Sequence, residues 1–264
     1  MIWLIRNLRR DYQAWDRPAR VAILLGLVLF LCALVVVFTG PPQIRTQALV
    51  GAGALVVVIQ IVILYGNRGM TSLFTRAQRT YLSGDFQNAR MLLEDARERG
   101  RSDARMLTLL GNTYRQLGDL ESSARVLSEA LDKAPDHHFP LYGFGRTLLS
   151  QGAYQEAISV IRRAVDAGAP PVVLGDLGEA YFRLGDFAAA RSALGAAEQP
   201  GAEMPPHREL MVRHMLYVMG AGEPPSADLI HTGLPYWQAS AERFAHTPYG
   251  ASVNQDVRAL ESSI

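Results

Sequence analysis

Residues 109–135 read LLGNTYRQLGDLESSARVLSEALDKAP, and this stretch decides the fold. Gly118-Asp119 divides it into two helical halves, because glycine enters an unusual turn at little cost and an aspartate just after it suits the next helix start. Gly111 is small where the first helix must come close to the second, and Pro135 closes the unit. One helix pair cannot hide its apolar face alone, so the stretch asks for copies of itself.

The copies are present on both sides. Gly111, Gly145 and Gly178 stand 34 and 33 residues apart. Residues 144–168, FGRTLLSQGAYQEAISVIRRAVDAG, supply Gly145, Gly152, Ala157 and Ala164. Residues 177–197, LGEAYFRLGDFAAARSALGAA, supply Gly178, Tyr181, Gly185-Asp186, Ala190 and Ala197. Upstream, residues 77–96, AQRTYLSGDFQNARMLLEDA, keep Ala77, Gly84-Asp85, Ala89 and Ala96, with Thr80 where two other copies have tyrosine. Ala89, Ala157 and Ala190 let the second helix of each pair pack closely against the first.

With Tyr114 and Ala130 in the copy quoted first, these residues fall where the tetratricopeptide-repeat family places its small and turn positions, and residues 69–200 resemble that family. The resemblance implies an all-α solenoid of about four helix pairs, a role in protein binding, and no catalysis. It also implies that the first helix of each pair lines a concave groove, whose inward positions here are Tyr81, Asn112, Arg115, Tyr142, Arg146, Glu179, Phe182 and Arg183. Arginine forks suit a carboxylate and aromatic faces suit apolar side chains, the chemistry of a peptide or partner helix. Family members that clamp a C-terminal carboxylate are matched only in part, by Asn112 and Arg146, since Phe74 stands at the expected basic position of the first copy.

A solenoid needs a cap, and residues 207–222, HRELMVRHMLYVMGAG, fit one: they follow Pro205-Pro206, offer Leu210, Met211 and Met215 as an inward face, and meet a helix stop at Gly220. The solenoid and cap thus occupy residues 69–220. Residues 221–264 read as a linker and an aromatic-rich tail with Tyr236, Trp237 and Phe244. Pro235 is expected to start a helix there, and Ser252 with Gln255, at capping-box spacing, to start a second that carries Val257, Leu260 and Ile264. The tail either folds back on the solenoid or docks on a partner, and the first is favoured because aromatic side chains are more often core than recognition elements.

Upstream of the repeats the chain changes character. Residues 21–38 and 48–65 carry no charge, and each is about 27 Å long as a helix at about 1.5 Å per residue, near the ~30 Å of a bilayer core once flanking residues join. Neither has the polar stripe of a buried soluble helix. Residues 39–47, with Pro41-Pro42 as a helix stop, are expected to make a tight reversal, so residues 21–65 read as a transmembrane hairpin. A cleaved leader is disfavoured by the lack of a small-residue cleavage pattern and by the second span. Gly51, Gly53 and Gln60 are explained most simply by packing within the hairpin. Arg6, Arg9, Arg10, Arg17 and Arg20 before the hairpin, and Arg68, Arg76 and Arg79 after it, outnumber Arg45 between the spans, which places both termini and the solenoid on the cytoplasmic side of a cell membrane. Residues 1–20, with Ile5, Leu8, Tyr12 and Trp15 among arginines, either lie at the interface or extend the first span.

The net charge of +1 excludes a globally basic nucleic-acid binder. The one cysteine, Cys32, lies in the first span, so neither a disulfide framework nor a Cys-x-x-Cys knuckle exists. His137-His138 and the pair His207 and His214 lack further ligands at metal spacing. Gly143-Phe144-Gly145 lies in a helix and lacks a third glycine, so it is a packing feature and no cofactor is expected. No nucleophile, base and oxyanion donor cluster. The sequence therefore describes a membrane-anchored adaptor or scaffold that binds a protein or peptide partner, with an accessory subunit of a stable membrane enzyme as the alternative.

Overall fold

A computed structural model describes residues 17–198 and 204–263. It contains twelve α-helices and no strand among the described residues. They are α1 (Arg17–Thr39), α2 (Pro42–Leu82), α3 (Phe86–Glu98), α4 (Ala104–Gln116), α5 (Leu120–Lys133), α6 (His138–Gln151), α7 (Tyr154–Asp166), α8 (Val173–Leu184), α9 (Phe187–Ala197), α10 (Pro206–Val218), α11 (Ala227–Arg243) and α12 (Pro248–Glu261). The chain divides into two compact units, one of residues up to 79 with 98–101, the other of residues 80–97 with 102–264. The expectation for residues 1–16 lies outside the described residues.

In the first unit, α1 and α2 form an antiparallel pair of apolar helices. The stretches Val21–Thr39 and Pro42–Tyr65 are both long and apolar enough to cross a membrane. Ile23 is buried against Ile59, Val62 and Ile63, and Gly26 lets the helices close, since a Cβ there would sit 3.0 Å from Ile59. The reversal is shorter than the sequence suggests. Only Gly40 and Pro41 separate the helices, because Pro42 occupies the first turn of α2, where its missing N–H costs nothing. Arg45 Nε closes the turn by donating to the Gly40 carbonyl at 2.8 Å. The assignment of Gly51, Gly53 and Gln60 to hairpin packing is also corrected: a Cβ at either glycine would meet nothing within 4 Å, and Gln60 is exposed.

In the second unit, α4/α5, α6/α7 and α8/α9 are successive helix pairs. The small-residue rule operates as expected in all three: a Cβ added at Gly111 would strike Leu127, at Gly145 Ile161, and at Gly178 Leu194. Ala89, Ala157 and Ala190 are fully buried on the second helices. Between the helices of a pair, Gly118 and Gly185 adopt φ of +83° and +88°, left-handed values that a side chain resists. The aspartates that follow cap the second helices, Asp119 accepting from the Ser122 amide at 2.9 Å and Asp186 from Ala189 at 3.1 Å. Adjacent pairs are tied by a buried hydroxyl relay in which Ser123 Oγ reaches the Gly111 carbonyl and Thr147 Oγ1, each at 2.8 Å.

The helix α10 extends the stack, with Leu210, Met211 and Met215 buried against the preceding pair. It is covered in turn by α11, where Gly233 lies against Leu210 and Trp237 Nε1 donates to the His207 carbonyl at 2.6 Å. Two expected helix starts are displaced. α11 begins at Ala227, capped by Ser226, and runs through Pro235, which sits inside the helix. An interior proline costs a helix about 3 kcal/mol or more, so α11 is held by its buried contacts rather than by propensity. α12 begins at Pro248 with Thr247 accepting from the Gly250 amide at 3.1 Å, while Ser252 sits inside it and donates back to the Pro248 carbonyl. Val257 and Leu260 are buried as the spacing predicts, and Ile264 lies outside the described residues.

Candidate protein-interaction site

The first helices of successive pairs, α4, α6, α8 and α10, lie side by side and form one face of the second unit. The chain's own tail crosses that face. Trp237, Phe244 and Tyr249 are buried in the same core as Leu177 and Leu210. At one end Arg243 of α11 donates to Gln116 Oε1 of α4 at 2.7 Å. Pro248 packs on Gly152 at the end of α6, and Asp256 of α12 forms an ion pair with Arg183 of α8.

Five of the eight residues expected to line a groove converge at this seam. Tyr142 and Arg146 on α6 meet Asp176 on α8, whose carboxylate lies 3.3 Å from Arg146 Nε and 3.0 Å from Arg208 Nη1 and accepts the Tyr142 hydroxyl. Arg208 Nη2 also donates to the Tyr142 oxygen at 2.9 Å. Burial alone would raise the Asp176 pKa, but Arg208, Arg146 and the Tyr142 hydroxyl pull it down to about 2. Arg183 on α8 binds Glu179 at 3.1 Å as well as Asp256, and Asp256 also faces His214 of α10 at 3.3 Å. Burial pushes Glu179 up, with Arg183 opposing, whereas Asp256 is pushed up by burial but ends below its usual value because His214 and Arg183 hold it ionised. Arg115, on α4, is 4% exposed.

The other three border this seam, the Phe182 ring lying 5.6 Å from the Arg183 guanidinium. Asn112 approaches Gly143 of α6. Tyr81 and Phe182 occupy equivalent repeat positions and face their own hairpin turns, with rings 5.3 Å from Phe86 and 5.7 Å from Phe187. Asp176, Arg208, His214, Tyr236, Tyr249 and Asp256 complete the seam and were not among the expected groove positions. Asp176 lies one turn before Glu179 on the same face, so the helical period was a signal for it; Arg208 and Asp256 carried none, since their partners are distant in sequence.

His207 and His137 have structural roles. His207 stacks on Tyr236 with ring centroids 4.0 Å apart, and His137 caps α6 by accepting from the Phe139 amide at 3.1 Å. A cavity of about 30 Å³ lined by Asp176, Glu179, Arg208 and Trp237 has room for about two water molecules rather than a substrate.

The family model described as Tetratricopeptide repeat matches residues 74–138 and 142–205, the segments that hold the paired helices and their glycine contacts. The repeats are tetratricopeptide repeats. Among solved structures, the tetratricopeptide-repeat protein TTC0263 from Thermus thermophilus is similar in fold, with a TM-score of 0.51 at 18% identity over 73% of this chain and 97% of that one. A MamA structure from Desulfovibrio magneticus RS-1 aligns over 73% of this chain and 95% of its own, at 20% identity and a TM-score of 0.43. Among curated proteins, the mouse aspartyl/asparaginyl beta-hydroxylase is 30% identical over 115 residues, 44% of this chain, and the human protein is 27% identical over the same length. This chain matches 15% of the length of those relatives. Tetratricopeptide repeats support a protein-interaction role for the solenoid, and such repeats are typically non-catalytic.

Proposed function

We propose that this chain is a membrane-anchored tetratricopeptide-repeat scaffold, in which α1 and the apolar half of α2 cross the bilayer and the repeat face receives a polypeptide partner on the cytoplasmic side. The observation that carries this reading is the tail itself. A face that accepts α11 and α12 through Arg183, Arg146 and buried aromatic rings has the chemistry to accept a partner helix with acidic and aromatic side chains. The partner must then displace or join the tail. Arginines flanking the hairpin on one side favour the cytoplasmic orientation.

The test is a photoreactive residue at Asn112 in the full-length protein in intact cells. A discrete protein adduct is expected, rising when Arg243→Ala and Asp256→Ala loosen the tail. The lack of any protein adduct in both backgrounds would end the adaptor reading. A cysteine placed at Ser122, with Cys32 removed, reports the side of the membrane: labelling from outside the intact cell contradicts the orientation.

The filled face also favours a second reading, a stable accessory subunit that contacts its membrane enzyme through the outward apolar residues of the hairpin, such as Leu25, Leu31 and Leu64. Gentle detergent extraction separates the two, since a subunit migrates in a large complex and a transient adaptor migrates mostly alone.

A further inference from the structure

Gln60 has no role within the hairpin. It is exposed in the uncharged, apolar part of α2, and its side-chain amide has no hydrogen-bond partner among the described residues. Gly53, where a Cβ would meet nothing within 4 Å, and the exposed Thr46 precede it at intervals of seven residues. Seven residues are close to two helical turns, so Thr46, Gly53 and Gln60 form one row along α2, flanked by the exposed Leu49, Val56 and Leu64. The side of α2 that faces inward is a different one: Ala52 is buried, and Ile59 packs on Ile23 of α1. Gly53 and Gln60 each come one residue later and are turned about 100° from it, so the row stays open with α1 in place.

The inference rests on the reading of α1 and the apolar part of α2 as membrane spans. Gln60 lies five residues before Tyr65, which places it about 7.5 Å inside the end of the span. Hydrocarbon offers a carboxamide neither donor nor acceptor, so the group is met by another helix or left unpaired at a cost. The row itself identifies the helix that fits. A carboxamide carries an acceptor and two donors, so two glutamines satisfy one another across a two-fold axis. Copies of one chain inserted in one membrane share an orientation, so their α2 helices run parallel and Gln60 meets its counterpart at the same depth. Gly53, on the same row, removes the side chain that would hold the two backbones apart.

We propose that the row of Thr46, Gly53 and Gln60 pairs two copies of this chain within the membrane, with the Gln60 amides hydrogen-bonded to each other. The dimer carries two repeat units, so a partner with two docking segments binds with avidity.

The experiment uses the full-length protein in native membranes, with Cys32 replaced by Ser and a single cysteine introduced at Gly53 or at Gly51. Copper phenanthroline oxidation followed by electrophoresis without reductant is expected to give a covalent homodimer for Gly53→Cys. None is expected for Gly51→Cys, whose Cβ also meets open space but on another side of the helix. In detergent, sedimentation of the protein with Cys32 intact should show Gln60→Leu weakening dimerisation by about 3- to 20-fold. Gln60→Asn, which keeps the amide, should lose less than Gln60→Leu, the reverse of what apolar packing alone produces. No dimer from Gly53→Cys, equal dimer from Gly51→Cys, or a Gln60→Leu dimer as tight as wild type would overturn the proposal. Carbonate extraction separates the two ways of failing: protein retained in the membrane without a Gly53→Cys dimer overturns the pairing alone, whereas release into the soluble fraction overturns the anchoring and the pairing together.

Discussion

Arg183 on α8 and Asp256 on α12 form an ion pair between side chains that are 4% and 14% exposed, 73 residues apart in the chain. The pair joins the last full repeat to the last helix. Glu179 and His214 buttress it from either side, and the Tyr249 ring lies 5.8 Å from the guanidinium. Removing one member of a buried pair leaves the other uncompensated, which costs about 3–5 kcal/mol when no second partner remains. Arg183 keeps Glu179, so Asp256→Ala is expected to cost about 2 kcal/mol, below that range. Hydrogen exchange should quicken in α12 and α11 while α4 to α7 stay protected. Uniform acceleration across the unit would show that the tail is not a separable layer.

The glycine contacts predict opposite signs for two similar changes. Gly178→Ala drives a methyl into Leu194 and is expected to destabilise by about 1–3 kcal/mol. Gly195→Ala, in the last turn of α9 where a Cβ meets nothing within 4 Å, is expected to stabilise by about 0.5 kcal/mol through helix propensity. Chemical denaturation midpoints check both.

Acid sensitivity follows from Asp176. A carboxyl held at about 2 in the fold contributes stability that is present above its ordinary value near 4 and is lost as the pH falls from there towards 2. The contribution amounts to about 2 kcal/mol at neutral pH. Glu179, raised by burial, has the opposite sign, because its contribution is lost as pH rises through its folded value. Asp176→Asn should therefore lower stability at neutral pH and flatten the acid limb of a stability-versus-pH curve. An unchanged acid limb would refute the assignment.

Trp237 anchors α11 through one part-buried hydrogen bond to the His207 carbonyl. Trp237→Phe keeps an aromatic ring and deletes the donor, at an expected cost of about 1–2 kcal/mol. Trp237→Ala, which also opens a cavity, should cost about 3–5 kcal/mol. A tail held mainly by its ion pairs would instead show little difference between the two variants.

Most of the repeat architecture is legible in the sequence, because a helix pair is a local object. The spacing of Gly111, Gly145 and Gly178, the Gly-Asp turns and the uncharged spans depend only on neighbours within one or two turns or one hairpin. Sequence signals fall short where they compete. Pro235 and Ser252 carry helix-start chemistry, yet α11 and α12 start earlier, since Ser226 and Thr247 cap them and tertiary burial outweighs the interior proline. Pro42 has the chemistry of a helix stop and of a first turn alike, and it takes the second role at the head of α2.

The amino-acid order by itself determined an all-helical chain with two long apolar helices followed by stacked tetratricopeptide repeats. Only the tertiary structure decided what lies on the face of their first helices. Which arginine finds Asp176, which finds Asp256, and that Arg115 finds neither, depend on pairings between residues far apart in the chain. Helical period orients a side chain but does not name its partner, and the energy of a buried charge is fixed by that partner.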